Sequence, residues 1–256
     1  MYGKRFGLFQ LNRAFECFDF EDLKNELKKI SLPPIRIAIT GGGRVAAGAM
    51  EIFDLLNIKQ VSPSNFKDSN NQEPIFTQLH SSDYHSHIND EPFSKTEFYK
   101  KPSQYESRFL EYFPFTDILI AAAYWNPSAP ELFTLEHIKQ PDFNIKVIAD
   151  ITCDIGGSIP STIRPSTIDN PAYDFNRFTG LLEPPFSDEK NITVMAIDNL
   201  PGELPRFASE GFGKQLMETV LPQLLTNDFS GNLQSGIVAE DGKLTKRFSY
   251  LQDFVE

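Results

Sequence analysis

"IRIAITGGGRVAAGAMEIF", residues 35–53, decides the fold. Ile35 to Thr40 is a short apolar run with the β-branched content of a strand buried on both faces. Three glycines, Gly41 to Gly43, end it. From Arg44 to Asn57 the pattern changes period, and Val45, Ala49, Ile52, Phe53 and Leu56 fall on one side of a helix. A strand, a glycine turn and a helix in this order bring backbone N–H groups to a helix N-terminus, where a pyrophosphate is held. Glycines are needed there for the tight turn and for close approach of the backbone. The spacing Gly41-x-Gly43-x-x-Ala46 fits, with alanine in the third glycine position. Gly41 and Gly43 are therefore the first candidate cofactor contacts.

The pattern continues on both sides of this stretch. "DFEDLKNELKK" (19–29) reads as an amphipathic helix capped by Asp19, and "LPP" (32–34) stops it. "IKQVS" (58–62) is a short second strand. From Pro63 to Pro114 the chain is polar and irregular, and reads as an excursion with one or two short helices that bury Phe93, Phe98, Tyr99, Tyr105, Phe109, Tyr112 and Phe113. Apolar strands return at "TDILIAAAYW" (116–125), "IKVIADIT" (145–152) and "ITVMAID" (192–198), with a Thr-capped helix at 134–139. Residues 154–191 are rich in Pro, Gly and Asn and read as loop with short edge strands. Arg206 to Leu225 has the spacing of one long helix. "GIVAEDGKLT" is a hairpin turning at Asp241-Gly242, and "SYLQDFVE" ends the chain as a helix. Strands alternating with helical crossovers predict an α/β fold: a Rossmann-type doubly wound, mostly parallel sheet, with terminal helices and a small C-terminal hairpin.

The balance of 24 Lys and Arg against 35 Asp and Glu, net −11, argues against nucleic acid or an anionic membrane surface as partner. No run approaches the roughly eighteen apolar residues of a membrane span. Cys17 and Cys153 form neither a disulfide framework nor a zinc pattern, which fits a reducing cytoplasm.

An acid that holds the cofactor ribose is expected at the end of the second strand. "KQVSPSNFK" has none there. Ser62 takes that place, so NADP is allowed and NAD is not excluded. His85-x-His87, with His80 near, reads as exposed histidines, not a metal pair. Cys153 reads as a buried strand-end residue, not a nucleophile. Asp150 and Asp154 bracket one strand end and Asp198 closes another, so all three are site candidates.

Several motifs, taken together, resemble the saccharopine dehydrogenase (lysine-forming) and lysine–ketoglutarate reductase family. They are "TGGGRVAAGA" (40–49), "EFYKKPSQYESRF" (97–109), "YWNPSAP" (124–130), "IADITCDIGGSI" (148–159), "STID" (166–169) and "AIDNLPGELPRFASEGFG" (196–213). The resemblance covers some three-quarters of the chain and implies a nicotinamide cofactor, NAD or NADP. It carries cofactor contacts onto Arg44, Val45, Tyr124, Ile151, Ile197, Asp198, Asn199 and Leu200. The reaction it implies is hydride transfer to or from the imine of lysine and 2-oxoglutarate, with saccharopine as the reduced product. Members of that family carry a substrate domain ahead of the glycine turn, with its proton-transfer lysine and histidine; only 34 residues precede Ile35 here. No catalytic residue and no metal ligand is therefore assigned. The expected organisation is a strut of an incomplete second domain at 1–33, a dinucleotide-binding domain at 34–200, and a helix and hairpin returning to the second domain at 201–256. A partner chain, or self-association through Phe6, Leu8, Phe9, Phe15, Phe248, Leu251 and Phe254, is expected with it. Two other readings remain: a non-catalytic dinucleotide-binding module, and an amino-acid dehydrogenase on the alanine dehydrogenase plan.

Overall fold

The computed structural model describes residues 1–68, 71–226 and 231–255. Their contacts divide the chain into two units, Met1–Glu203 and Leu204–Glu256. The described residues of the first unit form ten strands. They are β1 Arg36–Thr40, β2 Lys59–Gln60, β3 Ile75–Leu79, β4 His85–His87, β5 Tyr105–Ser107, β6 Ile118–Ala121, β7 Val147–Asp150, β8 Tyr173–Phe175, β9 Leu182–Glu183 and β10 Ile192–Met195. Eight form one sheet in the order β2-β3-β1-β6-β7-β10-β8-β9, while β4 and β5 make a separate antiparallel pair. The six strands from β2 to β10 run parallel. β8 and β9 close the far edge antiparallel.

The alternation of side chains builds two cores. Ile37, Ile39, Phe76 and the half-buried Ile118 and Ile120 point to one face, under the helix Arg44–Leu55 with its Ala46 and Phe53. Ala38, Ile75, Leu79, Leu119, Ala121, Ile148 and Val194 point to the other. There they meet Phe109, Phe113, Phe133, Phe143 and Tyr173. A parallel sheet covered on both faces needs apolar side chains in both directions, which is why β1, β6 and β10 read as near-continuous apolar runs.

One expectation is corrected at the centre of the sheet. Residues 63–114 are not only an irregular excursion: Ile75–Leu79 is a central strand and sits between β2 and β1. The run "IFTQL" carries Thr77 and Gln78 and lies between polar stretches, so periodicity alone did not separate it. Tyr99, expected to be buried in this region, is 55% exposed.

The N-terminal segment is tied to the far edge of the sheet by charge. Arg5, in the short helix Tyr2–Arg5, reaches Asp174 of β8 at 3.4 Å and Thr193 of β10 at 2.5 Å, with both members of the ion pair buried. Thr193 donates in turn to Asp174 (2.7 Å).

In the second unit the expected long helix is interrupted. Pro205–Gln215 is α-helical, Leu216–Val220 widens to a π-turn, and Leu221–Leu225 resumes. Pro222 has no N–H to give, which is a physical reason for a break in the ladder at this point. β11 Ala239–Glu240 and β12 Lys243–Leu244 form the hairpin, with Asp241 and Gly242 both at positive φ (49° and 74°). The chain ends in 3-10 turns over Lys246–Phe254 instead of an α-helix.

Candidate functional site

β1 pairs with β3 on one side and β6 on the other, so the chain reverses direction across the sheet at β1. Ligands of open parallel sheets sit outside the carboxyl ends of strands at such a reversal. The glycine turn stands there. Gly41 has φ +103°, and a Cβ on it would lie 2.9 Å from the Ala122 carbonyl oxygen and 3.0 Å from Ala123 Cα. Its N–H donates to the Leu79 carbonyl (2.9 Å), and its own carbonyl accepts from Gln78 Nε2 (2.9 Å). A Cβ on Gly42 would meet the His80 ring at 2.6 Å. Gly43 differs: nothing lies within 4 Å of where its Cβ would be. It is the N-cap of the twelve-residue helix Arg44–Leu55, and no side chain caps that helix or places an acid in its first turn. The first N–H groups of a helix have no intrahelical partner. Here they open on free space with the positive end of the helix dipole behind them.

The other candidates line the same edge in strand order. Arg44 and Val45 are exposed at the start of the helix, while Ala46 is fully buried against the sheet. Tyr124 follows β6 and is 81% exposed. Ile151 follows β7, and its N–H donates to the Ala121 carbonyl (3.0 Å). Ile197 is buried just after β10 and bridges Ser166. Asp198 and Asn199 are exposed beside it, and Leu200 opens a 3-10 turn to Glu203. Because β1, β6, β7 and β10 are parallel, Asp198 and Gly43 share one edge. Ser62 follows β2, separated from β1 by β3. It caps the turn Pro63–Phe66 through Asn65 N–H (3.2 Å) and faces a hollow it shares with Gln78, His80 and Asp83.

Sequence reasoning missed this last group. Since β3 is the neighbour of β1, the strand end that matters next to the turn is that of Leu79, not Gln60. Asp83 Oδ2 accepts the His80 N–H (2.7 Å), so a carboxylate is fixed at that end. The only available signal was the five-residue run "IFTQL" followed by "HSSD".

The remaining candidates behave differently. Asp150 is buried and saturated. Its Oδ1 accepts from Thr152 N–H (3.1 Å), Thr152 Oγ1 (2.6 Å) and Cys153 N–H (3.3 Å), and its Oδ2 from Thr162 Oγ1 (2.7 Å). These bonds brace the loop after β7. Asp154 is exposed. Cys153 sits at φ +55° and is half-buried. Its thiol donates to the Ala196 carbonyl (3.0 Å). Burial, followed by the charges of Asp150, Asp198 and Asp154, pushes the thiol pKa up, away from a thiolate nucleophile.

His85 and His87 are buried, not exposed as their polar surroundings implied. His85 lies between the rings of Tyr84 and Phe98, each 4.5 Å away, and its Nδ1–H donates to the Ser81 carbonyl. Burial lowers its pKa from 6.5 to about 4. His87, Glu91 and Glu97 bring ligand atoms within 4.8 Å of one another. However, Asn89 N–H donates to His87 Nδ1 (3.2 Å), which leaves the ring proton on Nε2.

Fold and site together define an α/β protein of the Rossmann type with an open helix N-terminus at its reversal point. Residues 27–247 match the family model described as alanine dehydrogenase/PNT, C-terminal domain, and the chain belongs to that family. Among proteins of known name it is similar to the mitochondrial alpha-aminoadipic semialdehyde synthase of Rattus norvegicus, with 27% identity over 88% of this chain and 28% of that protein. The alpha-aminoadipic semialdehyde synthase of Arabidopsis thaliana is 29% identical over 90% of this chain and 24% of its own length. The saccharopine dehydrogenase [NAD(+), L-lysine-forming] of Neurospora crassa is 31% identical over 46% of this chain and 29% of its own. The chain therefore spans about a quarter of the length of the relatives it matches. These matches support the resemblance to the saccharopine dehydrogenase and lysine–ketoglutarate reductase family. Among the described residues no helix is long and apolar enough to cross a membrane.

Proposed function

We propose that this chain is the nicotinamide-dinucleotide-binding part of an oxidoreductase of lysine metabolism. The observation that carries the reading is the open, uncapped helix N-terminus after Gly43 at the reversal point of the sheet. Pyrophosphate bound there would take the free N–H groups of the helix start. Gly41 keeps the turn tight, and Gly43 lets the phosphate reach the backbone. From the turn the cofactor runs along the edge past Tyr124 and Ile151 toward Ile197 to Leu200. Asp198 and Asn199 supply polar groups for the nicotinamide end, and the adenosine end lies toward Ser62. Residues 34–200 are the dinucleotide-binding part in this reading.

The nicotinamide would supply or accept a hydride. The substrate in this reading is saccharopine, or lysine with 2-oxoglutarate, and the likeness to a saccharopine dehydrogenase supports it. Proton transfer to an imine nitrogen needs an acid–base group within hydrogen-bond reach, and each such group contributes about 10²–10⁴-fold. Asp150 is buried and committed to bracing its loop, and burial favours the thiol form of Cys153, so neither is assigned that role. We assign that role to a substrate-binding part outside the dinucleotide edge. Exposed Leu8, Phe15 and Phe254 are candidate contacts for it.

Titration of the purified 256-residue chain tests both halves of the proposal. NADH or NADPH is expected to bind with one site per chain. Saccharopine oxidation is expected to stay at background. Absence of binding by either dinucleotide refutes the site. Steady saccharopine turnover refutes the assignment of proton transfer to another part.

A further inference from the structure

The hollow at the end of β3 carries an inference about selectivity, one that rests on the dinucleotide reading above. When a dinucleotide lies with its pyrophosphate on the glycine turn, its adenosine ribose falls at the carboxyl end of the strand beside the first. In this chain that strand is β3, and the hollow at its end is faced by Ser62, Gln78, His80 and Asp83. The hollow and the turn are joined directly: Gln78 Nε2 donates to the Gly41 carbonyl (2.9 Å), and the His80 ring abuts Gly42.

Asp83 is held in place. Its Oδ2 accepts the His80 N–H (2.7 Å), and its own N–H donates to the His80 carbonyl (2.8 Å), so the carboxylate is locked over the strand end. Oδ1 takes no hydrogen bond from the described residues, and Asp83 is only half-buried. A fixed carboxylate with one free oxygen can accept from a ribose hydroxyl and repels a phosphate in the same position. Among the described residues lining the hollow none is a lysine or arginine, and His80 is the sole basic side chain. Arg44, the nearest arginine in sequence to the turn, begins the helix at the pyrophosphate end.

We propose that Asp83 reads the 2′ position of the adenosine ribose and makes this chain select NAD(H) over NADP(H). Ser62, expected from sequence to leave a 2′-phosphate unopposed, shares the hollow with that carboxylate.

The test is calorimetric titration of the full chain with NADH and NADPH, on the natural protein and on Asp83→Asn and Asp83→Ser. Asn keeps an acceptor for the His80 N–H; Ser keeps a small polar group if Asn misfolds, and thermal melts check both. The natural chain is expected to bind NADH about tenfold or more tighter than NADPH, the worth of one charged hydrogen bond and its repulsive counterpart. Both variants are expected to lose most of that ratio, chiefly by gaining affinity for NADPH. Equal affinities in the natural chain, a preference for NADPH, or an unchanged ratio in both variants overturns the role of Asp83 while leaving the glycine turn in place. If neither dinucleotide binds the natural chain, the dinucleotide reading itself fails, and this inference with it.

Discussion

Gly41 and Gly43 lie two residues apart and do different work. Gly41 stands at φ +103° against the backbone of Ala122 and Ala123, so a methyl there meets atoms that cannot rotate away. Gly41→Ala is expected to cost about 1–3 kcal/mol, the range for a strained backbone position, read as a lower midpoint in urea. Gly43 has ordinary φ and open space around it. Gly43→Asp should therefore melt near the natural protein yet lose dinucleotide binding, because a carboxylate would occupy the phosphate position. A Gly43→Asp protein that binds NADH normally would move the cofactor away from this turn. His85 makes a different prediction. It is buried among rings, and its pKa is pushed from 6.5 down to about 4. Between these two values the unfolded chain binds the proton that the folded chain refuses, so stability falls as pH drops from about 6.5 toward 4 and levels below that. The shift corresponds to about 3 kcal/mol at most. His85→Phe should flatten this part of the stability–pH curve; a curve of unchanged slope would mean that other groups set it.

Single elements show where local signals suffice. β1, β6, β7 and β10 each follow an apolar run quoted from the sequence, and the Asp19 cap appears as expected, its side chain accepting from Asp22 N–H. β3 is as long as β1, but Thr77 and Gln78 interrupt its apolar run and hid it. β8 and β9 fall in the stretch read as loop with short edge strands, and all three residues of β8 are buried because β9 and β10 flank it. The Arg5–Asp174 pair that pins the N-terminal segment to β8 and β10 joins residues 169 positions apart, and no local pattern announces it. Removing one member of a buried pair strands the other. Asp174→Ala is expected to destabilise by about 3–5 kcal/mol in urea unfolding. It would strip acceptors from Arg5, Thr193 and the Ser187 N–H at once. A loss below about 1 kcal/mol, the range of exposed pairs, would show that the N-terminal segment is not anchored through this contact.

At the scale of the molecule, every candidate cofactor residue from Gly41 to Leu200 falls within Met1–Glu203. That unit contains the whole eight-stranded sheet and both apolar clusters. A chain cut after Glu203 is therefore expected to fold and to bind the proposed dinucleotide with the affinity of the full protein. Loss of binding on truncation, with the far-ultraviolet circular dichroism of the sheet retained, would show that Leu204–Glu256 completes the site. The second unit leaves Phe207, Phe212, Met217 and Leu225 exposed on its helical segment.

The sequence by itself determined the pieces: the strand, turn and helix around Gly41 to Gly43, the later apolar strands, the hairpin at Asp241-Gly242, and the motif from Ala196 to Gly213 that carries the family likeness. These are local facts, written in hydrophobic period and in the backbone freedom of glycine, and they need no knowledge of neighbours. Only the tertiary structure decided the rest. It put β3 beside β1 and so brought Asp83, not an acid near Ser62, to the edge of the glycine turn. It buried His85 and His87 within a polar stretch, and it saturated Asp150 with four hydrogen bonds. Which strands are adjacent depends on contacts between residues tens of positions apart, and side-chain period carries no record of that choice.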